Sequence, residues 1–388
     1  MTEQKAMLAE GKITEEGIKK LRDLTGTRLR IRNIFNQLAS REAIRNYVNG
    51  IGDPNPLFRD EEYARSTAYG NIVAPPNWYY SIFPTWVQVG LPGVHGFHSG
   101  SDWKFYKPVF VMDHIRPECA ICDVKEKESK FAKKTVIVYF RSQFFNQKDE
   151  LLAEAVSWSI RAERGAARGE GKYASIEMPH PWKEDELQKV EDEVLAEEVR
   201  GGTPRYWEDV TVGDELKPVV KGPLGLTDMI AYCIGAAPVQ LLAHHVALEL
   251  YRRHPAWAFR DHTSFALEPA YGVHFNKAAA NAAGLPYPYD VGTQRQGWLI
   301  HLLTNWMGDA GWLKTNYAEY RRFVYFSDVV RLTGKVTAKR VDEDGEHCVD
   351  VETHAVNQRD EDTMPGRATI VLPSRESGTN PVAQRLGK

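Results

Sequence analysis

The sequence predicts an α+β protein in which one layout, helices followed by an antiparallel sheet, occurs twice. Three observations carry this. A length of 388 residues exceeds one ordinary core and divides into domains of about 100 to 200 residues. A long-period repeat is present: Asp113-His114-Ile115-Arg116 is echoed 215 residues later by Asp328-Val329-Val330-Arg331, and Asn146-Gln147-Lys148-Asp149 is echoed 211 residues later by Asn357-Gln358-Arg359-Asp360. Around these markers both halves carry alternating, β-branched runs, residues 134–145 and 151–161 in one and 330–341 and 347–356 in the other. Turns of hairpin composition, such as Asp342-Glu343-Asp344-Gly345, separate them.

Upstream of its strands each half reads as helical. Residues 40–50 and 227–234 open on Ser40 and Thr227, both N-cap types. Longer apolar helices are expected over 75–88 and 292–308; in the second, Trp298, Leu299, Leu302, Leu303 and Trp306 recur at helical spacing and read as a core-facing stripe. Residues 162–172 are rich in Gly, Arg and Ala, and a charged, helix-like run follows over 183–200. The expected organisation is therefore an N-terminal domain over 1–165, a linker with a charged helix over 166–204, and a C-terminal domain over 205–388 with an insertion at about 236–267.

A hydrophobic fraction of 43% with 26% charged residues is that of a globular protein, and a net charge of -3 gives no broad field for polyanions. Nucleic acid is not an expected partner. Residues 1–23 lack the apolar core of a signal peptide, and no run approaches the roughly 18 apolar residues of a membrane span, so a cytoplasmic enzyme without a membrane partner is expected. Cys119 and Cys122 lie in a strand-like run where odd spacing sends them to opposite faces, and no second pair completes a ligand set; no metal site is expected.

Gly52-Asp53-Pro54-Asn55-Pro56-Leu57-Phe58, with Gly70-Asn71-Ile72-Val73-Ala74-Pro75-Pro76 after it, resembles the hydratase motif of MaoC-like proteins, whose pattern is Gly-Asp-x-Asn-Pro-x-His. Residues 206–216 and Lys221-Gly222-Pro223-Leu224 are similar to the opening of a MaoC domain. The resemblance covers residues 25–165 and 205–373, the first half looking like the FAS1-like dehydratase domain. It implies a double hot-dog fold, each unit an antiparallel sheet around a long central helix. It also implies a reaction, hydration of a 2-enoyl-CoA or dehydration of a 3-hydroxyacyl-CoA, with coenzyme A carried by the acyl-CoA substrate and no other cofactor.

Such chemistry sets a carboxylate to take a proton from water and an imidazole to give one to the substrate carbon, both within reach of one water. In the family the motif Asp and His do this, and backbone N–H groups at the start of the central helix hold the thioester oxygen. The matching helix-start positions are Val73 and Ala74 in the first half and Val291 and Gly292 in the second. This sequence departs from the pattern, keeping Asp53 and Asn55 but placing Phe58 where the family has His. At an offset of 216 residues, His274 stands opposite Phe58 and Pro269 opposite Asp53. The dyad is split between the halves.

The expected catalytic imidazole is His274, with Asp53 as the surviving motif carboxylate and a partner for His274 among Asp261, Glu268 and Asp290, which spacing does not separate. Asp290 is carried forward as the site carboxylate. Gln294 and Arg295 follow Gly292 where an acyl carrier would pass, Arg295 as a phosphate contact weighed against an ordinary solvated arginine. Of the adjacent His244 and His245, at most one can face a pocket from a helix, and His245 is the substrate-binding candidate. His95, His98 and His301 read as packed, hydrogen-bonded histidines. The insertion and ten tryptophans point to a bulky, branched or aromatic acyl group. A hot-dog thioesterase is one alternative, and a non-catalytic acyl-thioester-binding or partner subunit is the other. A homodimer of the fused chain is expected.

Overall fold

Residues 11–127, 135–163, 176–236 and 241–387 are described by the computed structural model. Residues 164–172, where composition sets the boundary between halves, and 237–240, at the start of the insertion, lie outside the described residues. Helices α1 (Glu15–Asp23), α2 (Arg41–Ile51) and α3 (Glu61–Ser66) precede strands β1 (His95–Phe105), β2 (Arg116–Lys127), β3 (Thr135–Phe145) and β4 (Leu151–Ala162). After α4 (Glu184–Leu195) come β5 (Val219–Lys221), α5 (Leu226–Ala236), α6 (His244–Arg253), the hairpin β6 (Ala258–Arg260) and β7 (Leu267–Pro269), α7 (Lys277–Ala282) and α8 (Gly292–Met307). Strands β8 (Trp312–Glu319), β9 (Val330–Val341), β10 (His347–Asn357) and β11 (Gly366–Val371) and a short α9 (Pro381–Arg385) close the chain.

Nine strands form one antiparallel sheet in the order β2-β3-β4-β1-β8-β11-β10-β9-β5, so β1 paired with β8 joins the halves into a double hot-dog. Alternation of side chains with period two is what made these strands readable: β3, for example, buries Val136, Val138, Phe140 and Phe144. Cys119 is buried on β2 while Cys122 is half-exposed. Among the described residues no helix is long and apolar enough to cross a membrane.

The sequence repeat is a duplicated corner. Asp113 accepts the Phe110 amide and the Gln147 side-chain amide, both at 2.8 Å. Asp328 accepts the Tyr325 amide at 2.9 Å and the Gln358 side-chain amide at 2.7 Å. Just before each aspartate, Met112 and Ser327 both adopt a φ of 73°, and in the following hairpins Asp149 and Asp360 take 57° and 56°. Left-handed backbone is costly for residues with a Cβ. It is kept twice because each buried aspartate ties the entry of a strand to the next hairpin.

The central helices differ between halves. Residues 292–307 form the expected helix, whereas the apolar run 75–88 yields only a 3₁₀ turn at Pro76–Ser81. Pro75 and Pro76 suit only a first turn, and Pro84, lacking an N–H, cannot continue an i→i−4 ladder. Nor is α8 one-sided: Thr293, Gln294, Arg295, Gln296, His301, Thr304 and Asn305 are buried along with its apolar residues. It lies inside the molecule on all faces.

Helices α2 and α5 hold equivalent places and cross at glycines. A Cβ on Gly50 would lie 2.8 Å from the Ala231 carbonyl oxygen, and one on Gly235 would lie 2.5 Å from that of Asn46. Alanine normally improves a helix by about 1 kcal/mol over glycine, but here the obstacle is backbone. Gly235→Ala is expected to lower stability by about 1 to 3 kcal/mol, measured by urea unfolding; a stabilised variant would show that the crossing is not in contact.

Candidate active site

The motif loop is built by local hydrogen bonds. Gly52 ends α2 in the left-handed conformation, at φ 64°. Asp53 Oδ1 then accepts the Asn55 amide at 2.9 Å, and Asn55 Oδ1 accepts the Leu57 amide at 3.0 Å, two successive Asx turns. Both side chains are buried, and Asp53 Oδ2 has no partner.

Across from this loop α8 presents His301. Its Nε2 lies 2.6 Å from Glu197 Oε1 and 3.5 Å from Asp53 Oδ1, while its Nδ1 is buried without a partner. Asn305 donates to the same Glu197 oxygen at 2.9 Å. Lys221, ending β5, donates to the Gly52 carbonyl at 2.8 Å and stands 3.9 Å from Glu197 Oε2. Burial pushes the Glu197 pKa up, but the hydrogen bond and charge of His301, with Lys221 and Asn305, outweigh it and hold the carboxyl below its ordinary value. Burial pulls the Lys221 pKa down against the opposing charges of Glu197, Asp53 and Asp228. One imidazole from the second half therefore meets a carboxylate from the first and another from the segment between them.

A cavity of about 50 Å³ lies beside this cluster, walled by Asn55, Phe58, Tyr79, Thr304, Met307 and Asp309 among others. Asn55 and Thr304 are two and three residues along the chain from Asp53 and His301, so the same two segments build both. Asp309 accepts the Tyr63 hydroxyl at 2.6 Å. Burial raises the Asp309 pKa, and burial with this bond pushes Tyr63 up to about 12.

The other predicted residues fall elsewhere. His274 Nδ1 lies 2.9 Å from the Tyr289 carbonyl oxygen, and the ring sits between Tyr271 and Tyr289. Burial lowers its pKa, opposed by that carbonyl and by the charge of Asp290. Asp290 is not its ion-pair partner. Instead it holds Arg295 bidentately, Oδ2 to Nε at 2.7 Å and Oδ1 to Nη2 at 2.8 Å, with 0% and 3% of the two side chains exposed. Arg295 Nη1 also donates to the Arg322 and Thr363 carbonyls. Arg295 thus points inward rather than toward an acyl carrier, because a carboxylate buried at the helix start requires it.

Gln294 is buried, its Nε2 3.4 Å from the Asp228 carbonyl oxygen. Tyr320 covers Gly292, where a Cβ would lie 2.5 Å from its ring. Val73 and Ala74 do not start a helix: Val73 bridges to Phe110 and the Ala74 amide donates to the Val109 carbonyl at 2.9 Å. Prolines 75 and 76 offer no N–H to replace it, so this turn presents no amide pair to a thioester oxygen. His245 is exposed, 3.7 Å from Glu249 on its own helix. Asp261 accepts the Thr263 hydroxyl at 2.6 Å and the Asn276 side chain at 2.7 Å, bracing the start of α7. His98 is half-buried against Ser101, and desolvation pushes its pKa down to about 3.

Sequence reasoning passed over His301 and Glu197. The available signal was a polar stripe, His301, Thr304 and Asn305 at i, i+3 and i+4, on the otherwise apolar stretch 297–307 of that helix. Among the described residues the grouping Asp342, Glu346 and Cys348 has ligand-like spacing, but Lys314 Nζ lies 2.6 and 2.8 Å from its two carboxylates and Arg385 also pairs with Glu346.

The family described as FAS1-like, dehydratase domain region, matches residues 32–155. A UPF0336 protein of Parafrankia sp. is 44% identical over 128 residues, 29% of this chain and 77% of that protein. With a UPF0336 protein of Streptomyces avermitilis the identity is 30% over 92 residues, and the match spans 61% of that relative's length and 22% of this chain. The alpha subunit of a 3-oxo-4,17-pregnadiene-20-carboxyl-CoA hydratase from Mycobacterium tuberculosis is 41% identical over 51 residues, 13% of this chain and 15% of that one. Among solved structures, a MaoC-like dehydratase superposes with a TM-score of 0.62 at 16% identity, over 91% of this chain and 99% of the other. A Mycobacterium tuberculosis protein described as having a double hotdog fold gives 0.51 at 10% identity, over 91% and 97%.

The Asp290–Arg295 pair yields a stability test. Asp290→Ala strands a buried guanidinium and is expected to cost about 3 to 5 kcal/mol, whereas Asp290→Leu with Arg295→Met should lose less than the summed single changes. Chemical unfolding of the singles and the double measures the coupling, and additive losses would show none.

Proposed function

Because the chain belongs to the MaoC-like hot-dog dehydratase superfamily, we propose that it is a hydro-lyase acting on a 2-enoyl thioester or its 3-hydroxyacyl product, and that Asp53 and His301 share the proton transfers. One observation carries this reading: Asp53 Oδ2 and His301 Nδ1 are buried polar atoms without partners in a single cluster, and the segments that bear them wall the cavity. Such atoms cost about 1 to 3 kcal/mol each when left unpaired. A reacting water and substrate would satisfy both.

In the hydration direction the Asp53 carboxylate takes a proton as the water oxygen bonds to C3, and the imidazolium of His301 gives a proton to C2. Asp53 then releases its proton to solvent and the imidazole takes one back, so one water is consumed and no electrons change hands. A reaction balanced in this way draws on no redox cofactor, and coenzyme A enters as part of the substrate. A CoA ester with a bulky acyl group is favoured by the relative named as a CoA hydratase subunit and by the apolar wall of Phe58, Tyr79 and Met307. A space of about 50 Å³ holds only a few waters, so such a group enters by parting that wall. A cytoplasmic homodimer completes the proposal, the exposed stripe Leu226, Ile230 and Ile234 on α5 offering a second chain apolar surface.

The test uses straight, branched and cyclic enoyl-CoA esters, following loss of the conjugated thioester absorbance and the gain of one water by mass. Asp53→Asn and His301→Ala are each expected to lower kcat/KM by about 10²- to 10⁴-fold. Turnover that survives in His301→Ala but vanishes in His274→Ala would make His274 the catalytic imidazole instead. Release of free CoA without hydration would make the protein a thioesterase.

A further inference from the structure

Glu197 belongs to neither segment that supplies the dyad. It lies just beyond α4, in the stretch that runs between the halves, and that stretch is pinned to the C-terminal end of α8. The Arg200 amide donates to the Asn305 carbonyl at 3.3 Å, the Asp309 amide to the Gly201 carbonyl at 2.9 Å, and Arg205 Nε to the Trp306 carbonyl at 2.8 Å. Gly308 lets the two backbones approach, since a Cβ there would lie 2.9 Å from the Gly201 oxygen. At its other end α4 is seated through Val190 against Val220 and Val329, and Glu193 pairs with Arg331 at 2.7 Å. A strap fixed at both ends delivers the Glu197 carboxylate to His301.

We infer that Glu197 is a positioning residue for the hydration chemistry, holding the Nε2–H of His301 so that Nδ1 is the nitrogen that gives and receives the transferred proton. The inference rests on the Asp53–His301 reading. No bond at Nε2 breaks in the cycle: the Nδ1–H bond breaks as the C2–H bond forms, Asp53, which lies on the Nε2 side of the ring at 3.5 Å, releases to solvent the proton it took from water, and Nδ1 takes one back from solvent. A carboxylate behind an imidazole fixes its tautomer and stabilises its protonated form. The charged groups facing the ring are Asp53 from the loop after α2 and Glu197 from the strap, and Lys221 from β5 stands 3.9 Å from Glu197. Further out, Arg59 donates to the Asp53 carbonyl, the charge of Asp53 reaches the Tyr47 hydroxyl, and Asp228 acts on Lys221.

The experiment follows the His301 ring by nitrogen NMR across pH in the full chain, alongside pH profiles of kcat and KM, in the wild type, Glu197→Gln and Lys221→Met. Glu197→Gln keeps an acceptor at the same distance but removes its charge. The midpoint of His301 titration should fall by about one to three pH units, and the alkaline limb of kcat should move down with it while KM changes little. Removing the cation in Lys221→Met should move both midpoints the opposite way, which tests the idea even if one variant folds poorly. A His301 titration that stays in place in both variants overturns the role given to Glu197. Full turnover in His301→Ala, with the NMR midpoint still responding to Glu197→Gln, overturns instead the dyad on which the inference rests.

Discussion

A helix buried on every side must have each of its polar side chains answered from within the protein, and α8 imposes that demand on most of its surroundings. Arg295 takes Asp290, and Thr293 takes the Tyr232 hydroxyl at 2.7 Å. Gln296 accepts from Tyr80 and Tyr320 and donates to Asn316 at 2.7 Å. His301 and Asn305 share Glu197. These partners come from the 3₁₀ turn at Pro76–Ser81, from β8, from α5 and from the strap after α4, so satisfying one helix fixes the relative places of elements from both halves. In a low-dielectric interior an unanswered polar group is expensive, and this expense keeps the arrangement specific.

The same demand marks how far the sequence could be read. Strands β3, β4, β9 and β10 were legible almost to the residue because period-two alternation and hairpin turns are local signals. The segment 75–88 was not, because its apolar pattern is helical while Pro75, Pro76 and Pro84 forbid the helix. Asp53 and Asn55 were legible as a motif. Their partner was not, because Asp53, Glu197 and His301 come from three distant stretches and meet only when the halves fold together. Arg295 read as a surface group since nothing in spacing tells a solvated arginine from one held by Asp290 five residues earlier.

Loss of the family histidine at Phe58 and of the family aspartate at Pro269 looks, half by half, like decay. On the proposed assignment of Asp53 and His301 it is instead a redistribution over the whole chain: the first half contributes a carboxylate and much of the apolar wall, and the second contributes an imidazole on its intact helix. The unequal central elements fit this division. The long α8 carries His301 to the motif loop after α2, while the first half places only a short 3₁₀ turn against that helix.

The seam between the halves runs along β1 and β8, where Gly100 faces Glu319 and Asp102 faces Tyr317. In a twofold pair of identical chains every substitution at such a seam appears on both sides at once, so a bulky residue must be accommodated twice. Here the facing strands are encoded separately. Gly100 leaves room for the Trp158 ring, which a Cβ there would approach to 2.1 Å, and β8 is under no obligation to carry a matching glycine. Covalent fusion also holds the two strands at an effective concentration that dilution cannot lower. The seam can therefore become chemically lopsided without the halves drifting apart, and a lopsided seam permits unlike interiors on its two sides.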